Sequence, residues 1–377
     1  MFLSEQERAE TIGACRFCPM CNIADRIAQL VRRESYTPRG RGAILLAIDL
    51  GLLQWDEAVA DIMYTTLNDG LLQTWCVGNY DHEELILDAR AKIFQQGLAP
   101  EAVSKHIEGL RASEGRSSNP EALLSKENVT TNKKADILLF CGCEARESQT
   151  ATIVAMGKLF NHAGIKFQVL SAEPCCGWPL YQLGDLEGAR EFSVRTADEV
   201  RASGASTVAV LDSDCYRMLS TRNARFGGDL KGIKIIPVMD LLAEWIESGR
   251  VKITKTISDP TTYHDPCVLA RYCEDIDSPR KILSSILDGE LKEMDTNRKM
   301  ANCCGAGGML PVHRPDLSHE VALLRLGEAR ATGASILVTG CPRCDGHFAR
   351  ALASRGQDGL RITNLVKLVA QAAGLVE

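Results

Sequence analysis

The chain has 377 residues, fifteen cysteines and a net charge of −6 from 43 basic and 49 acidic side chains. This length supports two or three domains with their own cores, and the odd cysteine count does not suit a disulfide scaffold. The mild acidity, without a basic block, excludes a nucleic-acid or anionic membrane surface. The charged N-terminus and short apolar runs predict a cytoplasmic protein with reduced thiols and no direct membrane insertion, so any membrane association would come through partner subunits.

Helical patterns come first along the chain, and alternating strand and helix patterns follow. Apolar residues recur at three- and four-residue spacing in "RGAILLAIDLGL", "DEAVADIMYTTL" and "HEELILDARAKIF", which predicts a mainly helical domain over residues 1–112. Residues 113–134 have the composition of a linker. Beyond them, helical segments alternate with the β-rich runs "ADILLF", "KFQVL", "TVAVLD", "TTYHD" and "SILVTG". This alternation predicts an α/β architecture with largely parallel sheets.

The last two thirds of the chain contain an internal repeat. "RASGASTVAVLDSDC" aligns without a gap with "RATGASILVTGCPRC" at an offset of 129 residues, and the paired cysteines of "PCCGWP" and "NCCGAGG" match at an offset of 128. The repeat predicts two tandem, pseudo-symmetric α/β units, 135–255 and 256–377, with cysteines at strand ends and in loops. The aligned pairs are Cys143 with Cys267, Cys175 with Cys303, Cys176 with Cys304, Asp212 with Cys341, and Cys215 with Cys344.

The second unit has five cysteines in the pattern C-x35-CC-x36-C-x2-C. Five thiolates exceed the four ligands of a single zinc ion, whereas adjacent thiolates can bind neighbouring irons of a cluster. The glycines after the paired cysteines let the backbone approach an inorganic core without Cβ clashes. The alternative, a set of small buried apolar side chains, does not explain the fixed offset of the repeat. The five residues are Cys267, Cys303, Cys304, Cys341 and Cys344.

Two further residues lie near this pattern. His264 either donates a hydrogen bond to a cluster sulfur and raises its reduction potential, or is an ordinary histidine with its own partners. Cys273 has no counterpart in the first unit, and we expect a packed or supporting thiol rather than a ligand.

The stretches "YHDPCVLAR", "PRKIL", "CCGAGG" and "CPRC" resemble the cysteine-rich CCG domain family, and the likeness covers roughly residues 136 to 377. This family is found in the B-type subunit of heterodisulfide reductase and in the iron-sulfur subunits of glycolate oxidase and anaerobic glycerol-3-phosphate dehydrogenase. The resemblance implies that the five cysteines of the second unit bind a noncubane 4Fe-4S cluster and form the catalytic site.

The first CCG unit departs from this pattern. It keeps Cys143, Cys175, Cys176 and Cys215, but Asp212 stands where the first cysteine of the C-x2-C pair is expected. A carboxylate can ligate iron, and four thiolates can hold a simpler cluster or zinc, with Cys141 as a spare ligand two residues away. A further iron-sulfur cluster, a zinc ion and an empty site all remain open for this unit.

The N-terminal domain has a second kind of cysteine motif. "CRFCPMC" matches the first three ligands of a bacterial ferredoxin run, and Asp25 stands in the place of the fourth. "TPRGR" and "WCVGNYDHEELILDAR" resemble ferredoxin-motif segments of the same family, with Arg90 fourteen residues after Cys76. We therefore predict a ferredoxin-like domain with a cubane 4Fe-4S cluster; zinc on the same thiolates is the alternative. The four predicted ligands are Cys15, Cys18, Cys21 and Cys76.

The motifs together predict an electron-transfer subunit of a multi-subunit oxidoreductase. The chain has no G-x-G-x-x-G or P-loop motif, so electrons are expected to arrive from a flavoprotein (FAD) dehydrogenase or reductase subunit, with other iron-sulfur or membrane subunits as further partners. Fused ferredoxin-like and double-CCG parts resemble heterodisulfide reductase D-type and glycolate oxidase iron-sulfur subunits. Two alternatives stay open: the catalytic subunit of a heterodisulfide, disulfide or quinone reductase, and a non-catalytic redox-sensing metal protein.

Overall fold

The structure is a computed structural model that describes residues 3–113, 118–354 and 359–376. Among the described residues before the first strand, the chain forms helices only, as the sequence predicts. Asp56 and Asp81 cap two of these helices by accepting backbone N–H bonds in the first turn. The helices are α1 (Glu5–Ala14), α2 (Met20–Ala24), α3 (Arg26–Val31), α4 (Pro38–Asp49), α5 (Glu57–Tyr64), α6 (Leu71–Trp75), α7 (His82–Gln95), α8 (Glu101–Ala112) and α9 (Pro120–Lys126).

Helix α9 lies inside the stretch predicted as a linker. Asn119 accepts hydrogen bonds from the first-turn N–H groups, and Pro120 occupies the first helical position, where its missing N–H does no harm. Leu124 is fully buried in the core of the first unit. The predicted linker therefore includes a packed helix, while its residues 114–117 lie outside the described residues.

The first unit is a four-stranded parallel sheet with helices around it. Its strands are β1 (Ile137–Phe140), β2 (Phe167–Gln168), β3 (Thr207–Val210) and β4 (Lys234–Pro237), in the order β2-β1-β3-β4. Parallel strands need crossover connections, and helices supply them here. The helices are α10 (Cys143–Ser148), α11 (Thr150–His162), α12 (Trp178–Leu183), α13 (Leu186–Ala202), α14 (Ser213–Arg217) and α15 (Val238–Glu247).

The second unit repeats this plan with three parallel strands. The strands are β5 (Thr261–His264), β6 (Ile336–Thr339) and β7 (Arg361–Asn364), in the order β5-β6-β7. Phe140 pairs with Val210 at the end of β1, and His264 pairs with Thr339 at the end of β5, so the two strand ends are equivalent. The helices are α16 (Ser278–Ile286), α17 (Leu310–His313), α18 (Pro315–Ala331), α19 (Pro342–Ala353) and α20 (Leu365–Ala372).

The three parts share hydrophobic cores. One core joins the two units through Leu159, Trp245, Leu283 and Leu368, all almost fully buried. A second core joins the N-terminal helices to the first unit. Burial of each such side chain stabilises the fold by about 1.5–3 kcal/mol, so the parts are tightly associated. Within the described ranges, no helix is both long and apolar enough to cross a membrane.

Candidate functional site

The cysteines of the second unit meet at the carboxyl edge of its sheet. Cys267 follows the end of β5 by three residues, and Cys341 follows β6 and begins α19, which carries Cys344 in its first turn. The carboxyl ends of parallel strands open onto a common edge, where α/β proteins bind their ligands. Cys303 and Cys304 reach the same edge from the loop before α17.

The five thiols form a continuous chain of contacts. Cys267 contacts Cys303, Cys304 lies between Cys303 and Cys344, and Cys344 also contacts Cys341. Hydrogen bonds from Cys303 and Cys344 lower the pKa of Cys304 to about 5. Hydrogen bonding to Cys303 and burial raise the pKa of Cys267 well above its usual value. The thiolate is the form that binds metal. Cys304 therefore loses its proton for metal binding more readily than the other thiols of this group.

The loop with the paired cysteines has no room for side chains at its glycines. A Cβ on Gly305, which has a φ of +101°, would lie 2.4 Å from the Ser318 carbonyl oxygen. A Cβ on Gly307 would lie 2.5 Å from the Leu67 carbonyl oxygen and 3.0 Å from the sulfur of Cys303. The backbone therefore packs closely around the thiols, as expected for a loop that encloses an inorganic core.

A buried polar atom also points to a missing acceptor at this site. His264 is fully buried, and its Nε2 has no hydrogen-bond partner in the part of the chain that the structure describes. The sulfurs of Cys304 and Cys344 and a ring nitrogen of His264 lie within 4.8 Å of one another. Five clustered thiols, a close backbone and an orphaned ring nitrogen fit a bound iron-sulfur group. Cys273 is half-buried against the core that joins the two units, and its burial, with smaller contributions from groups that include Cys267, raises its pKa.

The first unit brings its four cysteines together at the equivalent edge. Cys143 begins α10 and contacts Cys175, and the sulfur of Cys176 lies 3.3 Å from that of Cys215 in α14. Three of these four residues are buried, and Cys143 is half-buried. Cys141, the predicted spare ligand, instead lies in the apolar core, with its backbone N–H donated to Glu173. The structure therefore gathers four thiols here.

Asp212 lies beside these thiols but has a structural role of its own. It caps α14, because its Oδ1 accepts the backbone N–H groups of Asp214, at 2.8 Å, and Cys215, at 3.4 Å. Burial raises the pKa of Asp212 to about 7. Cys341 begins α19 at the aligned position without a side-chain cap. An acid at this position is therefore explained by helix capping even without a metal.

An ion pair and a small cavity join the two cysteine sites. Arg343 donates its Nε–H to Asp214 at 2.8 Å and also faces Glu144 at 3.6 Å. Arg343 and Asp214 occupy aligned positions of the repeat, so opposite charges at matched positions are the sequence signal of this contact. A cavity of about 30 Å³ lies beside the pair. Its lining includes Trp178, Gln182 and Asp214 from the first unit and Cys267, Cys304, Cys341, Arg343 and Cys344 from the second.

The N-terminal cysteines form a third group, which is more exposed. Cys15 ends α1 and interacts with Cys18 and Cys76, and Cys21 in α2 interacts with Cys15 and Cys18. All four are half-buried. Backbone N–H groups of Phe17, Arg39 and Tyr80 point at the sulfurs of Cys15, Cys21 and Cys76, respectively. Such N–H contacts stabilise negative charge on sulfur, which suits four thiolates around a cluster.

Residues 66–76, here called the connector, link the N-terminal group to the second unit. The carbonyl oxygens of Thr66 and Leu67 lie against Gly307 and Gly308, and the connector ends at Cys76 after α6. Sequence reasoning missed this contact, because carbonyl groups carry no residue-specific signal.

Comparisons with known proteins agree with this arrangement. Residues 137–220 and 261–349 match the family model of the cysteine-rich domain CCG. The D-type subunit of the dihydromethanophenazine:CoB–CoM heterodisulfide reductase of Methanosarcina mazei is 30% identical over 334 residues, which cover 85% of this chain and 80% of that protein. The probable iron-sulfur-binding oxidoreductase FadF of Bacillus subtilis is 28% identical over 255 residues, which cover 66% of this chain and 35% of that protein.

A solved structure also shares the fold. A hypothetical protein from Helicobacter pylori superposes with a TM-score of 0.63, covering 99% of this chain and 73% of that one. At 14% identity, this likeness speaks for the fold alone.

Proposed function

Because the chain belongs to the CCG cysteine-rich domain family of iron-sulfur oxidoreductase subunits, related to the D-type subunit of heterodisulfide reductase, we propose that it relays electrons from a flavoprotein partner to a terminal acceptor. In this proposal Cys15, Cys18, Cys21 and Cys76 hold a cubane 4Fe-4S cluster, and the five cysteines of the second unit hold a noncubane one. Bound clusters supply one-electron redox chemistry at potentials that ligands, hydrogen bonds and burial set.

The observation that carries the proposal is the connector. One end of it packs on the glycine loop beside Cys303, and the other end is Cys76 itself. The connector has eleven residues, five of which form helix α6. A short, continuous stretch of chain therefore joins the two proposed redox groups.

Buried arginines fix the connector in place. Arg90 is fully buried and donates to the carbonyl oxygens of Thr66 in the connector at 3.5 Å, of Gln182 at 2.8 Å and of Gly308 at 2.6 Å, so one side chain ties all three parts together. Arg271 of the second unit donates to the carboxylate of Asp69 at 3.0 Å and to its carbonyl oxygen at 2.7 Å. Hydrogen bonds from a charged donor are about twice as strong as neutral ones, so they hold the spacing of the two sites firmly.

The first unit serves as a relay or structural site in this scheme. Its four thiols lie together like those of the second unit. The carboxylate of Asp212, however, already accepts a hydrogen bond from the backbone N–H of Asp214 at the start of α14. Either a further iron-sulfur cluster or a zinc ion suits four thiolates.

The proposed partner is a flavoprotein (FAD) dehydrogenase or reductase subunit, because the chain has no nucleotide motif of its own. A relative that is itself one subunit of a reductase supports a multi-subunit assembly. We place the protein in the cytoplasm, with any membrane association through other iron-sulfur or membrane subunits.

A second candidate function is reduction of a disulfide or quinone at the cavity between the two units. The lining of the cavity favours it, because residues of both units and four of the five second-unit cysteines face the same space. At about 30 Å³ the cavity has room for about one water molecule, so this function requires the two units to move apart when the substrate binds. The relationship to one component of a heterodisulfide reductase points in the same direction.

The relay is tested with photoreduced flavin as the electron donor and electron paramagnetic resonance (EPR) as the readout. In the anaerobically prepared wild-type chain, we expect the N-terminal signal to appear before that of the second unit. Cys18→Ala should remove the first signal and slow the appearance of the second. Cys273→Ala, which changes a thiol outside all three groups, is the matched control. Equally fast reduction of the second site in Cys18→Ala would contradict the relay.

A further inference from the structure

The hydrogen bond between Arg325 and His264 fixes the protonation of a buried imidazole. Arg325 Nε donates to His264 Nδ1 at 3.2 Å, and both side chains are almost completely buried. A guanidinium has donors only, so the Nδ1 of His264 must offer its lone pair. A ring that accepts at Nδ1 is neutral and carries its single proton on Nε2. His264 therefore presents an N–H group on the side away from Arg325.

This N–H group is buried without a hydrogen-bond acceptor among the described residues. The ring of Phe348 packs perpendicular to the imidazole at a centroid distance of 5.0 Å. A buried, unpaired donor costs about 1–3 kcal/mol, so an acceptor is expected at this place in the working protein. The sulfurs of Cys304 and Cys344 and one ring nitrogen of His264 lie within 4.8 Å of one another, so these two sulfurs mark where the acceptor is expected.

We propose that the Nε2–H of His264 donates a hydrogen bond to the sulfur-rich group held by Cys304 and Cys344, and that this bond raises its reduction potential. This inference rests on the proposed function, since it assumes a redox group in the second unit. A positive N–H end beside sulfur stabilises the extra negative charge of the reduced state. His264 is then a positioning residue and not a ligand, because a protonated Nε2 has no lone pair for a metal.

The first unit lacks this donor. Phe140 ends β1 at the position equivalent to His264 at the end of β5, and it is fully buried in the apolar core. The aromatic ring fills the same place without an N–H group. The two CCG sites are therefore unequal in this one respect, because among the described residues only the second unit has a buried imidazole N–H beside its cysteines.

The test compares His264→Phe with His264→Gln in the full-length, iron-loaded chain. The Phe variant places at this strand end the residue type that the first unit has at Phe140, and it removes the N–H donor. The Gln variant keeps an N–H donor in its side-chain amide, at a similar distance from the backbone. In an anaerobic redox titration followed by EPR, His264→Phe should shift the midpoint potential of the second-unit signal to a more negative value. His264→Gln should keep most of the wild-type potential. His347→Gln is the control, since the Nε2 of this buried histidine already contacts the Ser318 hydroxyl at 3.0 Å.

A second measurement needs no variant. Electron-nuclear double resonance of the wild-type signal in H₂O and D₂O should show an exchangeable proton coupled to the second site. An unchanged potential in loaded His264→Phe, or no exchangeable proton, would overturn the hydrogen bond alone. Loss of second-unit iron in both His264 variants would show that His264 is a ligand. A wild-type chain without any reducible second-unit signal would overturn the proposed function as well.

Discussion

The two CCG units have similar folds but differ in single residues at their cysteine sites. The thiol of Cys304 accepts hydrogen bonds from two neighbouring thiols, which lower its pKa to about 5, whereas Asp212 accepts two backbone N–H groups of α14. Oxygen is a harder ligand than sulfur and suits different metal chemistry. The second unit thus offers sulfur ligands alone, whereas the first combines four thiols with a carboxylate that already accepts two hydrogen bonds.

This asymmetry gives a prediction for Asp212 and Cys304. Asp212→Ala should lower the free energy of unfolding by about 1 kcal/mol through loss of the helix cap, and should leave electron transfer partly intact. Asp212→Asn keeps the cap and is the matched control. Cys304→Ala removes a proposed ligand and should abolish electron delivery to the terminal acceptor. Thermal unfolding and turnover with the partner flavoprotein are the measurements.

The outcome also separates the two candidate functions. If Asp212→Ala is as inactive as Cys304→Ala while the second-unit signal persists, the first unit belongs to the reaction centre. A disulfide or quinone reductase that uses both units would then be the better description.

At the scale of elements, the connector and the glycine loop determine how the N-terminal group meets the second unit. Gly307→Ala should disturb this contact, because the new Cβ would lie 2.5 Å from the Leu67 carbonyl oxygen and 3.0 Å from the sulfur of Cys303. We expect slower electron transfer to the second unit, with the N-terminal EPR signal unchanged. Gly327→Ala in α18 is the control, since its Cβ would meet nothing within 4 Å. Equal transfer rates in the two variants would contradict a role for the connector.

The elements also show what the sequence could predict. All five strands expected from β-rich runs are present, because their apolar residues are buried in the sheets. The strands β4 and β7 were missed, since each is a four-residue edge strand that begins with an exposed basic residue. The cysteine groups of the two units followed from the repeat, and the N-terminal group followed from the "CRFCPMC" motif and the family resemblance around Cys76. The contacts of Arg90 and of the connector were missed, because they run through backbone carbonyls that are distant in sequence. Such long-range contacts leave no local pattern.

At the scale of the whole molecule, the shared cores couple the three parts mechanically, while each cysteine group has its own thiol contacts. The N-terminal helices and the first unit bury one set of side chains together, and the two units bury another. The fold therefore holds three sites in fixed positions. Loss of a ligand at one site changes that site without separating the parts.

Metal content tests this picture of the whole chain. Two sites with four irons each predict about eight irons per chain, rising to about twelve if the first unit also holds a cluster. Cys18→Ala and Cys304→Ala should each lose about four irons, because their sites lie in different parts of a common fold. The double variant should lose the sum of the two.

Iron, sulfide and zinc assays on anaerobically purified protein give the count, and circular dichroism shows whether each variant is folded. In the first unit, Cys176→Ala decides between the three alternatives. Loss of iron indicates a cluster, loss of zinc indicates a zinc site, and unchanged metal content indicates an empty site.

A wild-type chain with zinc and fewer than about four irons would contradict the cluster assignments. Loss of all iron in a folded Cys18→Ala chain would show instead that the cysteine groups do not load independently, because filling the N-terminal site would then be required before the second unit assembles.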